Sequence, residues 1–248
     1  MKIVNWSFIT SSDWGVNHPE CTKPLIDKDY VPLTNLTKHI VAERKGVIFL
    51  KCPAFTDFMK NTFVFHAPFD LTIDIEVNDE TGDGKLFCPN ISQEVFETII
   101  DTRFLFDRDR GIDPYPLIGL DWLTMFQTSE PMLIQLLPAF LHYNDFTNKT
   151  AVIPGEFDIS KWTRSVEVVF EVKKNKERIE IKKGDAIAYM KFHSDEIVKL
   201  IEQETPWTES KICAELRAAK KGKPLKDRYE ELDKIRKQEC PYGKKSQD

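Results

Sequence analysis

At 248 residues, with 41% hydrophobic and 30% charged side chains, the chain has the composition of a globular protein large enough to bury a sizeable core. Its apolar runs fall short of the roughly 18 to 20 residues that cross a bilayer, and MKIVNWSFITSS lacks the basic and apolar regions of a signal peptide, so the expectation is a cytoplasmic protein. A net charge of −5 argues against nucleic acid as the main partner, and the scattered Cys21, Cys52, Cys88, Cys213 and Cys240, with no C-x-x-C among them, argue against a disulfide framework or zinc knuckle.

KIVNWSFI reads as a first strand, and residues 11 to 35 as a long ordered loop with restricted steps at Pro19, Pro24 and Pro32. GVIFLKC is a buried-strand run and PAFTDFMKN suits a short helix or turn. TFVFHAPFDLTIDIEV alternates like two strands around Ala67-Pro68. In the second of these, Leu71, Ile73, Ile75 and Val77 point one way while Thr72, Asp74 and Glu76 point the other, which predicts a half-exposed strand. NDETGDGK is a turn. NISQEVFETIID predicts a helix, with Asn90 as N-cap and Val95, Phe96 and Ile99 at helical spacing.

DRDRGIDPYPLIGLDWL breaks the regular pattern for long enough to be a functional loop. PMLIQLLPAFLHY, interrupted at Pro138, predicts strands or a short broken helix. From residue 150 to 193 the segments TAVIPGEFDISKW, SVEVVFEV and IEIKKGDAIAYMKF predict an antiparallel meander with a turn at Lys183-Gly184-Asp185. Ser194 then predicts an N-cap for a helix over 195 to 204. Beyond Pro206, Ile212, Leu216 and Ala219 mark one amphipathic helix, and Leu225, Tyr229, Leu232 and Ile235 a second. Residues 206 to 248 carry 12 Lys+Arg against 8 Asp+Glu, a net of +4, whereas residues 1 to 205 carry 23 against 32, a net of −9. The predicted fold class is α+β: an antiparallel β-sandwich or jelly-roll-like body over residues 1–205, and a helical hairpin with a basic tail over 206–248.

The H-x-D pair His193 and Asp195 has the spacing that opens many iron sites, but a facial triad takes its second histidine downstream. His18, His39, His66 and His142 all precede it. His193 therefore reads as a strand-end residue beside a capping Asp195. His66 and Asp70 flank Ala67-Pro68-Phe69, where a turn brings them together; with His142 or His193 alongside they would form a mixed histidine and carboxylate site for a divalent metal. In Asp107-Arg108-Asp109-Arg110 the guanidinium groups, followed by Gly111, suit an anionic ligand, while a solvated turn is the plainer reading. Arg164, beside Trp162, is a further candidate ligand contact, or a stacked structural arginine. Asp74 and Glu76 share a strand face without forming a recognisable acid and base couple. Walker, dinucleotide, G-x-S-x-G and H-E-x-x-H motifs do not occur in the sequence.

KCPAFTDFMKNTFVFHAPFDL, PGEFDISKW and IKKGDAIAYMKF together resemble a family of hypothetical proteins from tailed phages of marine cyanobacteria and similar hosts, over roughly residues 45 to 200. The resemblance implies the cytoplasm of an infected host cell, or a virion, as the setting. It brings no catalytic residues, since the family has no established activity. The Gly-Asp turn before the last apolar strand is similar to the closing segment of dUTPase-type jelly rolls, whose substrate motif is missing.

The expectation is a non-enzymatic binding or assembly protein that contacts a protein partner, or itself, through the hairpin and an open sheet edge, without a cofactor. Membrane contact is not expected, nor nucleic-acid contact except through the tail lysines Lys220, Lys221, Lys223, Lys244 and Lys245. The alternative is a metal-dependent enzyme of the oxygenase or hydrolase class, with a divalent metal among His66, Asp70, His142 and His193.

Overall fold

The computed structural model describes residues 1–8, 25–26, 52–78, 84–104, 116–161, 165–174 and 176–203. In chain order the strands are β1 (Lys2–Phe8), β2 (Leu25–Ile26), β3 (Thr62–His66), β4 (Leu71–Val77), β5 (Gly84–Phe87), β6 (Ile100–Phe104), β7 (Pro116–Asp121), β8 (Thr124–Gln127), β9 (Leu133–Pro138), β10 (Thr150–Val152), β11 (Gly155–Asp158), β12 (Glu167–Val172), β13 (Lys176–Ile181), β14 (Ala186–Phe192) and β15 (Val198–Glu202). The helices are α1 (Pro53–Met59), α2 (Gln93–Ile99) and α3 (Asp145–Lys149).

The strands form sheets in the orders β15-β1-β8, β10-β12-β7-β6, β11-β9-β14-β3-β2 and β13-β4-β5. Every pairing is antiparallel except β1 with β15, which is parallel. The body is therefore β-rich, as the alternating segments predict. The expected GVIFLKC strand apart from Cys52, the expected loop over 11 to 35 apart from Leu25–Ile26 in β2, the first half of the expected loop DRDRGIDPYPLIGLDWL and the hairpin over 206 to 248 lie outside the described residues, whereas the second half of that loop is strand β7.

Period-two patterning explains the strands. β4 buries Leu71, Ile73, Ile75 and Val77 and turns Thr72, Asp74 and Glu76 outward. β12 buries Val168, Phe170 and Val172, and all these side chains join one main core that also takes Trp6, Phe126 and Phe146. Edge-to-face rings lock it, with centroids 5.5 Å apart for Phe63 and Phe192 and 4.9 Å for Phe146 and Phe170. β9 ends on Pro138, where a missing N–H is tolerated.

The structure corrects three expectations. The region 150 to 193 is not a meander: β12 pairs with β10 and β7, β13 with β4, and β14 with β3 and β9. Consecutive strands enter different sheets because each brings an apolar stripe to the shared core, and the short connections are free to cross between sheets. The helix expected over 195 to 204 is instead β15. Ser194 Oγ accepts the Glu196 N–H at 3.1 Å in a local turn, while Val198 and Leu200 are buried alternately against β1. Helix α2 is capped by Ser92, which accepts the Val95 N–H at 3.3 Å, whereas Asn90 clamps the start of β4 through the Thr72 N–H and the Asp70 carbonyl, both at 2.8 Å.

Two features place the site. Asn61, fully buried with φ +58°, donates to the carbonyls of Ser194 (2.9 Å) and Glu196 (2.7 Å) and accepts the Val198 N–H (2.9 Å), tying the start of β3 to the chain beyond β14. Between Ala186 and Ala188 the register of β14 against β3 shifts by a bulge at Ile187. The extra residue sends both Ile187 and Ala188 into the main core and leaves Ala186 and Tyr189 on the opposite face, in a second, smaller core with Met59, Val64 and Ala139.

Candidate functional site

At the β14 bulge, three segments meet around a tight turn at Lys182–Asp185. Gly184 adopts φ +89°, a conformation that suits glycine, and the turn is clamped from β3 and the segment after it. Ala67 N–H donates to Asp185 O at 2.8 Å, and Gly184 N–H donates to Ala67 O at 2.9 Å. The carboxylate of Asp70 accepts the Lys183 N–H at 2.7 Å, and Nδ1 of His66 lies 2.8 Å from Gly184 O. His66 and Asp70 thus each engage the backbone of the Lys182–Asp185 turn, at Gly184 O and Lys183 N–H.

His142 arrives from the turn that follows β9. Its Nδ1 is 2.7 Å from the Tyr189 hydroxyl, which also accepts the Leu141 N–H at 3.2 Å. The rings of His66 and His142 stand perpendicular with centroids 6.4 Å apart. Burial, and then the neighbouring His66, hold the His142 imidazole below its ordinary pKa, so it is neutral at pH 7. Burial pushes the Tyr189 phenol upward, which keeps it a protonated hydrogen-bonding group. Phe140 packs edge-on against Tyr189 at 5.2 Å. Phe140 and Tyr143 face solvent, at 42% and 80% exposure.

The remaining candidates are placed apart. His193 follows β14 at its other end, about 20 Å from His66 at ~3.3 Å per strand residue, with its Nε2 3.4 Å from Glu156. Asp195 offers its backbone carbonyl to the Lys60 amine. Among the described residues no three His, Cys, Asp or Glu side chains gather where they could hold a metal ion. Arg108, Arg110 and Arg164 lie outside the described residues. Asp74 and Glu76 form cross-strand ion pairs with Arg178 (3.7 Å) and Lys176 (3.0 Å) of β13. Cys88 is buried, and its thiol is pushed up to about 12, which leaves it unreactive at neutral pH.

A surface depression of about 480 Å³ lies over α3 and β13. Its charges are already matched: Lys149 meets Asp145 at 2.9 Å and Glu177 at 3.5 Å, and Asp145 also accepts the Glu180 N–H at 2.7 Å. Such mutual pairing suits a solvated structural cluster better than a ligand cleft.

Sequence reasoning missed Tyr189, Phe140 and Tyr143. Tyr189 sits inside the apolar run AIAYMKF, where only a bulge could turn it away from the main core. The aromatics of AFLHY gave the one available signal, a ring-rich segment that does not continue the alternation of β9. No helix among the described residues is long and apolar enough to cross a membrane. No protein-family model matches the chain, and no curated protein and no solved structure matches it.

Proposed function

We propose that this is a phage-encoded, non-enzymatic binding or assembly protein, built as a sandwich or jelly-roll-like body with a C-terminal helical hairpin and acting in the infected cell or the virion. The phage setting is supported by the resemblance of three segments to hypothetical proteins of tailed phages. The contact role is supported by one observation above all: Phe140 and Tyr143 stand exposed in the turn after β9, Phe140 edge-on to buried Tyr189 of the second, smaller core. Solvent-facing aromatic side chains are the anchors that protein interfaces favour, because they bury large area at low entropic cost. The carboxylates nearby hold backbone in place, as Asp70 does for Lys183 and Asp145 for Glu180, and so suit a scaffold role.

The test is a comparison of wild-type protein with a Phe140→Ser, Tyr143→Ser double variant. Light scattering after size exclusion reads self-association, and capture from phage-infected cells reads a partner. The wild type is expected to self-associate or to retain a specific partner, and the double variant to lose it. A wild type that stays monomeric and captures nothing, or a variant that behaves identically, would sink the proposal.

A further inference from the structure

We propose that Tyr189 and His142 form a pH-sensitive latch: at neutral pH it holds the turn after β9, with its exposed Phe140 and Tyr143, against β14, and it opens when His142 takes up a proton. As a regulator of partner contact the latch rests on the reading above, in which those two rings make the contact.

The bonding order follows from what each atom has left to give. Tyr189 has one hydroxyl proton, and its oxygen already accepts the Leu141 N–H at 3.2 Å. The hydroxyl proton therefore goes to Nδ1 of His142, 2.7 Å away, and the neutral ring carries its own proton on Nε2. Leu141 N–H to Tyr189, and Tyr189 to His142, make two linked bonds that tie the turn to β14. Ala139 is buried in the second core and Asn144 Nδ2 donates to Ala186 O at 2.9 Å, so both ends of the turn stay anchored at any pH. Opening is thereby confined to residues 140–143, which carry the exposed rings.

Protonation undoes the second bond. A charged imidazole bears N–H on both nitrogens, so Nδ1 can no longer accept and the buried Tyr189 hydroxyl keeps a proton with no acceptor. His66 differs, because its Nδ1 donates to Gly184 O and that bond survives in the charged ring. A charge on His66 faces His142 at 6.4 Å between centroids and adds repulsion. Burial, and then His66, hold the His142 imidazole below its ordinary 6.5, so the open turn takes up the proton first as pH falls. The closed latch is favoured above that ordinary value and is lost as pH falls below it and through the closed-state one.

Among the described residues, the other ionisable groups of the surrounding elements are engaged elsewhere or face solvent. Asp70 holds the Lys183 N–H, Asp185 the Lys182 N–H at 2.8 Å, and Asp145 the Glu180 N–H and Lys149. Tyr143, Lys182, Lys183 and, on α1, Asp57 are exposed. Lys60 bonds the Asp195 carbonyl, and Lys191 of β14 lies over the Phe58 ring at 4.2 Å.

The experiment follows the ¹⁵N-labelled full-length protein by NMR from pH 7.5 to 5.0, with no partner present. At the upper end the Nε2–H tautomer is expected at His142 and the Nδ1–H tautomer at His66. The His142 ring should titrate below 6.5, and exchange protection of the Leu141 amide should fall about tenfold with the same midpoint, the size of one lost hydrogen bond. Tyr189→Phe should raise the His142 midpoint, because the neutral ring loses its donor. An Nδ1–H tautomer at His142, Leu141 protection that stays flat through the wild-type titration, or an unchanged midpoint in Tyr189→Phe overturns the proposal. Association, read by light scattering and capture at pH 7.5 and 5.5, should weaken about tenfold in the wild type and stay constant in His142→Gln. Association absent at both values counts against the contact reading alone, while the ring and amide readings decide the latch.

Discussion

The two ends of the β3 and β14 strand pair use polar side chains in opposite ways. At the Asn61 end both amide N–H groups and the amide oxygen are directed at backbone: two carbonyls and one N–H are satisfied by one side chain, in full burial. At the His66 end, two imidazoles each spend one nitrogen on a local oxygen and leave the other without a hydrogen-bond partner among the described residues. A saturated group stabilises and can do nothing else; an unsaturated one keeps chemistry in reserve. The contrast separates structural polar residues from candidate functional ones without appeal to any relative.

The largest expected effect is therefore at Asn61. Asn61→Ala removes three hydrogen bonds, strands buried partners and places alanine at positive φ, which together should cost about 3 to 5 kcal/mol. Urea unfolding followed by fluorescence would measure it. Asn61→Gly relieves only the backbone term and should recover about 1 to 2 kcal/mol of the loss. A destabilisation under ~1 kcal/mol for Asn61→Ala would mean that the β3 entry is not the anchor it looks to be.

At the other end, Tyr189→Phe deletes one hydroxyl that serves the Leu141 N–H and His142 Nδ1. The ring keeps its packing against Phe140, so the expected loss is about 1 to 2 kcal/mol, read from the same urea curves. A cost matching that of Asn61→Ala would erase the contrast between the ends.

Smaller still are the carboxylates Asp145, at the start of α3, and Asp158, at the end of β11. Burial alone would raise both, but the Glu180 amide and Lys149 outweigh it at Asp145, and Ser160, Lys161 and the Met132 amide do so at Asp158, so each sits below its ordinary 3.8. The unfolded chain then takes up these protons first as pH falls. The stability they contribute is complete above about pH 4–5 and is lost as acid carries the pH below the ordinary value and through the folded ones. Asp145 is about one-third exposed, and solvent screening limits Asp145→Asn to no more than about 1 kcal/mol at pH 7. Thermal melts between pH 2 and 7, flatter for the double Asn variant than for wild type, would check the sign.

Much of the body was legible in residue order. TFVFHAPFDLTIDIEV contains both of its strands, and the Lys183-Gly184-Asp185 turn falls where Gly184 takes positive φ. Partner choice was not legible, because alternation in β12 to β14 says which face is buried and nothing about which strand lies alongside. The 195–204 segment failed for a related reason. Ser194 followed by Asp195 and Glu196 mimics a helix start, and only the free edge of β1 decides that Val198 and Leu200 alternate as a strand. Of the site, the sequence singled out His66 and Asp70 by their four-residue spacing around Pro68, but not the turn backbone that each of them bonds. The arrival of His142 depends on where the turn after β9 lands, and the role of Tyr189 depends on a one-residue bulge.

His193 is the sharpest control on that distinction, because it lies at the Asn61 end of the same strand pair and its side chain takes no part in the Asn61 hydrogen bonds. Its Nε2 faces Glu156 at 3.4 Å with both side chains well exposed, 38% and 46%. An exposed pair of this kind gains little Coulomb energy and gives up side-chain entropy to form, so His193→Gln should change stability by less than ~0.5 kcal/mol in either direction. Because the backbone N–H of His193 bonds Leu133 O whatever the side chain, the strand end stays paired in the variant. If His193→Gln instead cost as much as Tyr189→Phe, the H-x-D segment would be holding something that exposure and distance do not reveal. Silence at His193 with a measurable cost at Tyr189 would locate the histidine chemistry of this chain where two rings meet, rather than where the sequence spells a metal motif.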